Sequence, residues 1–235
     1  MFPRPFSFLF FLYLGLGLVT VSSPARSFPV YSIAQSNYAP SGTATSEAGN
    51  FLNRGLSKAG KGDLREAIAN FDRAILLDPN LVIAYVNRGI TYRKLQEYRK
   101  AIGDFDRALR LDSSDSLTYI ERGITYEQLQ EYRKAIGDFD RALRLDPNLL
   151  QAYVHRGLSR GQLGDSRKAI EDFDRAIRLD PNHANAYLYR GITRGQLGDV
   201  QKARQDIQKA ADLSRLQGNA ETTRQALQLL QQVSK

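Results

Sequence analysis

The chain has 235 residues, with 33 lysines and arginines against 25 aspartates and glutamates, a formal charge of +8, and 42% hydrophobic residues. It contains no cysteine, which excludes thiol nucleophiles, thiolate metal sites and disulfide staples. Its two histidines, His155 and His183, lack metal-ligand spacing, and no Gly-rich phosphate loop, nucleophile elbow or paired-carboxylate constellation stands outside the general pattern, so no enzyme, no metal and no cofactor are expected.

Residues 1–34 differ in kind from the rest. Arg4 precedes an almost unbroken apolar run from Phe6 to Val21, followed by Ser22-Ser23-Pro24-Ala25. This is the layout of a secretory signal peptide, with small residues placed for a cut after Ala25 or after Ala34. The apolar run falls short of the roughly 20 residues that a spanning helix needs. The sequence thus predicts export to a periplasm, an organelle lumen or the exterior. The alternative is an uncleaved anchor, through which alone membrane contact is expected. Residues 35–47 are polar and read as a disordered linker.

From there a period of 34 takes over. Arg-Gly recurs at Arg54-Gly55, Arg88-Gly89, Arg122-Gly123, Arg156-Gly157 and Arg190-Gly191, which defines five repeats, 48–81, 82–115, 116–149, 150–183 and 184–217. An aromatic stands fourth in each (Phe51, Tyr85, Tyr119, Tyr153, Tyr187). Alanine stands twentieth and twenty-seventh, and position 24 reads Phe71, Phe105, Phe139, Phe173, Ile207. Positions 4, 8 and 11 share a face of one helix, and 20, 24 and 27 a face of a second. Each repeat is therefore a helix pair whose crossing has glycine and alanine for close approach and aromatic rings to fill the space around it. Repeats 2 and 3 are identical over Leu95–Asp112 and Leu129–Asp146, which speaks against one differentiated, asymmetric site.

Gly164-Asp165 and Gly198-Asp199 predict a left-handed stop and a new cap between the two helices, where repeats 2 and 3 have Gln96-Glu97 and Gln130-Glu131. Asp-Pro-Asn at 78–80, 146–148 and 180–182 ends the second helix and offers asparagine as the next cap. Repeat 2 has Asp112-Ser113-Ser114-Asp115 there, a junction expected to give more. His183 reads as a surface turn residue. Beyond repeat 5, within 218–235, Ala226, Leu229, Leu230 and Val233 share one face of a helix over Ala220–Val233 that caps the stack.

Charge is patterned too. Arg99, Arg107 and Arg110, with their counterparts Arg133, Arg141, Arg144 and Arg167, Arg175, Arg178, form a stripe on the second helices. It reads as a solvated face with i,i+4 partners Asp106, Asp140 and Asp174, or else as a surface for an anionic partner. No nucleic-acid motif accompanies it. The position-7 arginines are expected to reach the position-25 aspartates Asp72, Asp106, Asp140 and Asp174 of an adjoining helix, forming a ladder.

These columns resemble the tetratricopeptide repeat in period, small-residue positions and terminal proline, over about three quarters of the chain. The resemblance implies an all-α, right-handed α-solenoid that acts as a non-catalytic protein-interaction scaffold, with a protein or peptide partner on a concave face lined by first helices. An accessory subunit of a transport, assembly or envelope-modifying complex, anchored by the N-terminal segment, is the second reading. The face implied is built from Val86, Asn87, Ile90, Arg93 and Lys94 in repeat 2, from Ile120, Ile124, Glu127 and Gln128 in repeat 3, and from Val154, His155 and Leu158 in repeat 4. Positions 5 and 9 are aliphatic in all five repeats, so they belong either to a groove for an apolar or amphipathic segment or to the packing between successive first helices. Leu52, Leu56, Leu117 and Glu121 stand where relatives that clamp a C-terminal carboxylate carry lysine, asparagine and basic residues, which argues against that ligand.

Overall fold

The computed structural model describes residues 46–233, so the expected signal segment and most of the expected linker lie outside the described residues. Ser46 caps the first helix by accepting the Gly49 amide, and Glu47 opens it, so the linker ends earlier than its composition suggested. All regular elements among the described residues are helices, and they form two compact bodies, 46–147 and 148–233. The N-terminal body holds α1 (Glu47–Lys61), α2 (Leu64–Leu77), α3 (Val82–Lys94), α4 (Tyr98–Leu111), α5 (Ser116–Gln128) and α6 (Tyr132–Leu145). The C-terminal body holds α7 (Leu150–Gln162), α8 (Ser166–Leu179), α9 (Ala184–Gln196), α10 (Val200–Leu216) and α11 (Ala220–Val233). Within each body a first helix packs on its own second helix, on the second helix before it and on the neighbouring first helices.

The crossing within each pair is set by sterics. Phe71, Phe105, Phe139 and Phe173 are essentially fully buried over the glycine of their own repeat. A Cβ added to Gly55, Gly89, Gly123 or Gly157 would lie 2.5 to 2.8 Å from the ring. At Gly191 the obstacle is Ile207 at 2.8 Å together with the Ala203 carbonyl at 3.1 Å. Alanines at positions 20 and 27 complete the contact with almost no exposed surface.

The turn inside each pair needs a left-handed residue. Gly62, Gly164 and Gly198 supply it at φ 86°, 81° and 84°. Gln96 and Gln130 adopt it at 62° and 59°, an arrangement that costs an L-residue roughly 1–2 kcal/mol. The junctions between repeats correct one expectation, because the asparagine of Asp-Pro-Asn is not the next cap. Asp78 and Asp180 instead accept the amides of Asn80 and Asn182, bending the chain, and the caps are the residues that follow. At the repeat 2–3 junction, side chains stand where proline stands elsewhere. Asp112 accepts from the Ser114 amide and hydroxyl, and Asp115 accepts from the Leu117 amide and the Thr118 hydroxyl. His183 is itself the cap of α9, its Nδ1 accepting the Ala186 amide at 3.1 Å, and burial pushes its pKa below the ordinary histidine value. With no proline near its end, α10 runs on to Leu216. There α11 turns back and covers Leu188, Ile207, Ala210 and Ala211 with Ala226, Leu229 and Leu230.

In repeats 2, 3 and 5 the position-7 arginines form the ladder expected of them and take a second set of partners as well. Arg88 donates from Nε and Nη2 to Asp104, sixteen residues ahead, and from Nη1 to Asp72, sixteen behind. Arg122 joins Asp138 and Asp106 in the same way, and Arg190 joins Asp206 and Asp174. Arg156 forks onto Asp172. One guanidinium therefore ties a first helix to its own second helix and to the second helix of the preceding repeat. Repeats 4 and 5 add Arg160 and Arg194, where repeats 2 and 3 have Tyr92 and Tyr126, and these reach Asp172 and Asp206 at 2.8 and 2.7 Å. Burial pushes the Asp104, Asp138 and Asp172 carboxyls above the ordinary carboxylate range, against the opposing pull of the arginines. Each position-7 arginine also lies over the aromatic ring at position 4 of its own helix, at 5.3 to 5.6 Å.

Four outcomes follow for the full chain. Gly123→Ala should lower stability by about 1–3 kcal/mol in urea melts, since the Phe139 ring has no room to retreat. Gly137→Ala, with nothing within 4 Å of its added Cβ, should raise stability by about 1 kcal/mol through helix propensity. Arg122→Ala strands a buried Asp138 and should cost about 3 kcal/mol, whereas Arg122→Leu combined with Asp138→Ala should cost well under that, because no charge is left buried alone. The His183 cap contributes fully above the unfolded histidine value of about 6.5 and is lost as pH falls through its lower folded value. Thermal melts from pH 8 to pH 5 should therefore fall less steeply for His183→Asn, which caps without titrating, than for the parent chain.

Candidate functional site

The surface implied for a ligand lies on the first helices, and the packing of those helices decides how much of it is accessible. Position five is buried throughout: Leu52, Val86, Ile120, Val154 and Leu188 are at most 7% exposed. Val86 sits among Tyr85, Ala101, Phe105 and Ala108, and Val154 beside Ala176 and Ala186. Ile124, at position nine, is buried as well. This corrects the reading of Val86, Ile120, Ile124 and Val154 as surface. Position five lies beside the glycine stripe on the helical wheel, so it turns with that stripe toward the second helices and the neighbouring repeat. Ile90 and Leu158 are only half-buried, each packed against the edge of its local core.

The polar candidates divide in a similar way. Asn87 is buried and donates from Nδ2 to the Ile83 carbonyl on its own helix, where its own carbonyl accepts from the Thr91 hydroxyl. It secures α3 internally. Arg93 crosses from α3 to α5, its Nη2 2.5 Å from Glu121 Oε2, with both side chains largely covered. Its Nε is buried without a hydrogen-bond partner. Lys94 and Gln128 are exposed at the C-terminal ends of the same two helices, and Glu127 is half-buried. In the N-terminal body the strip thus consists of exposed Lys94 and Gln128 with half-buried Ile90, Arg93, Leu117, Glu121 and Glu127. In the C-terminal body, His155 and Leu158 are half-buried on α7.

Glu121 was visible in the sequence, but its pairing with Arg93 was not, because the residues are 28 positions apart on helices joined only through packing. Nor was position 23 read as the main partner of the ladder. A signal existed: aspartate stands sixteen residues after the arginine in repeats 2 to 5, and Asn70 breaks the column only in repeat 1. Among the described residues no cluster of three or more metal-ligating side chains occurs, and no helix is long and apolar enough to cross a membrane.

Comparison with known proteins matches this geometry. Family models described as tetratricopeptide repeat cover residues 82–115, 116–149 and 154–217, and one described as TPR repeat covers 55–96. No curated protein matches the sequence. Among solved structures, a crystal structure of MamA is 27% identical, covering 70% of this chain and 96% of that one, with a TM-score of 0.66. YrrB, whose structure is described as a TPR protein with an unusual peptide-binding site, is 25% identical, covering 76% and 90%, with a TM-score of 0.63. PilF of Pseudomonas aeruginosa, 19% identical over 77% and 90% with a TM-score of 0.64, shares the fold. The helix pairs, the glycine crossings and the matched models together show that the chain belongs to the tetratricopeptide repeat family.

Proposed function

We propose that the chain is an exported, non-catalytic scaffold of five tetratricopeptide repeats that holds an amphipathic peptide or helical segment on the first-helix strip of repeats 2 and 3. The observation that carries this is the strip itself. A half-buried aliphatic, Ile90, lies next to a charged bridge, Arg93 to Glu121, with exposed Lys94 and Gln128 at one end. Apolar surface beside convergent polar groups suits a segment with one apolar and one polar side. The description of YrrB as a peptide-binding protein of this fold supports the same class of ligand. With position five closed off in the core, the apolar share of the surface is small, and the polar groups set orientation. Export rests on the Arg4 and Phe6–Val21 layout of the sequence.

The test is site-specific photo-cross-linking in the native host. A photoreactive residue at Lys94 or Gln128 should give a discrete protein adduct, and the same residue at the exposed Arg204 of α10 should not give that adduct. Adducts from Arg204 alone would sink the reading. Mass spectrometry of the chain recovered from the same cells should show an N-terminus near Arg26 or Gln35; an intact Met1 chain sedimenting with membranes would refute release and favour the anchored accessory subunit.

A further inference from the structure

The charge pattern of the second helices changes once the ladder is in place. Two of the three aspartates expected to neutralise the outward arginines by i,i+4 pairing are engaged elsewhere, Asp106 by Arg122 and Asp174 by Arg190. On α4 and α6 the outward arginines Arg99, Arg110, Arg133 and Arg144 are exposed, and no carboxylate among the described residues lies within ion-pairing distance of them. Arg107 is held over the Tyr85 ring at 5.9 Å, again without a carboxylate. The cations of the two helices lie near enough to sense each other: Glu131 holds the Lys134 ammonium protonated, while Arg99 of the preceding repeat works against that charge. Between the arginines, four residues after the first of each pair, sit Gly103 and Gly137, exposed, in mid-helix, with nothing within 4 Å of where a Cβ would be. Each costs the helix about 1 kcal/mol relative to alanine, and no contact inside the protein requires it.

We propose that this face, Arg99 and Arg110 on α4 with Arg133 and Arg144 on α6, docks a carboxylate-rich segment of a partner protein. Charge complementarity names the occupant. The face is an array of cations beside which Asp104, Asp106 and Asp138 are engaged in holding the repeats together. All four positions are arginine, whose planar fork receives a carboxylate through two parallel hydrogen bonds, whereas an anionic lipid surface attracts lysine and arginine alike. The face also lacks the row of exposed apolar side chains that insertion into a bilayer uses. On each helix the two arginines stand eleven residues apart, roughly 16 Å, with the glycine between them leaving space for the backbone of the bound segment. This surface lies on the second helices and is independent of the first-helix strip.

The experiment uses the full chain with a fluorescein-labelled oligoglutamate of about ten residues, long enough to reach both arginines of one helix, followed by anisotropy at pH 7. Binding should appear at low salt and weaken as sodium chloride is raised. Replacing all four arginines with glutamine should weaken binding at least about tenfold, and so should replacement with lysine, which keeps the charge and loses the fork. A control removing equal charge elsewhere, at Lys61, Arg204, Lys209 and Arg215, should change binding by less than about twofold. Thermal melts establish that each variant is folded; if the glutamine variant is not, the lysine variant decides. No binding to the parent chain, full binding by the lysine variant, or equal weakening by the control would each overturn the proposal. So would arginine-dependent capture of phosphatidylglycerol vesicles by a chain that ignores oligoglutamate, which would assign the face to anionic lipid.

Discussion

Everything in this molecule depends on how closely two helices cross at one glycine. A first helix meets its own second helix where the position-8 glycine lies under the position-24 side chain, and the space there does not admit even a Cβ in any of the five pairs. That contact fixes the distance between the helices of a pair. Once it is fixed, positions 20 and 27 can only be alanine-sized, and position five, beside the glycine on the helical wheel, is carried into the core. The aliphatic residues that recur at position five are therefore consumed by packing, whereas at position nine Ile90 and Leu158 stay half-buried. The accessible strip is left to residues whose sequence pattern is less regular.

The ladder adds a second constraint of a different physical kind. Packing of alanine, glycine and phenylalanine is close to non-directional, while a guanidinium bound to two carboxylates on two different helices specifies relative placement. In the N-terminal body Arg88 and Arg122 each span three helices in this way, and Arg190 does so in the C-terminal body. The aspartates at position 23 are almost fully buried, so the ladder favours one placement of the helices rather than adding much net stability. It also rearranges charge. Acids that would have balanced the outer arginines along their own helix face inward and sideways, and the outer surface becomes more basic than a count of residues within each helix indicates.

Turns show the same interplay at smaller scale. Three of the five intrahelical-pair turns use glycine at positive φ, and two force glutamine into that conformation. The two glutamine turns belong to the near-identical repeats 2 and 3, which also carry the exposed mid-helix glycines Gly103 and Gly137. In these repeats glycine is absent where the backbone needs it and present where the fold does not, a pairing for which local stability offers no account.

The sequence by itself determined the period, the helix pairs, the glycine and aromatic crossings and the terminal helix, because each is written as a fixed spacing that recurs in every repeat and reflects contacts within one repeat or between neighbours. It also determined that arginine at position 7 would meet aspartate, since both columns are nearly invariant along the chain. Tertiary structure alone decided which aspartate is the main partner, which aliphatic residues are covered, that Arg93 reaches Glu121, and that His183 rather than Asn182 caps α9. The reason is geometric. A spacing along one helix gives the face a residue shares, but whether that face is buried, paired or open depends on the angle at which the next helix arrives. That angle is set by the sum of contacts on both helices and is written in no single spacing.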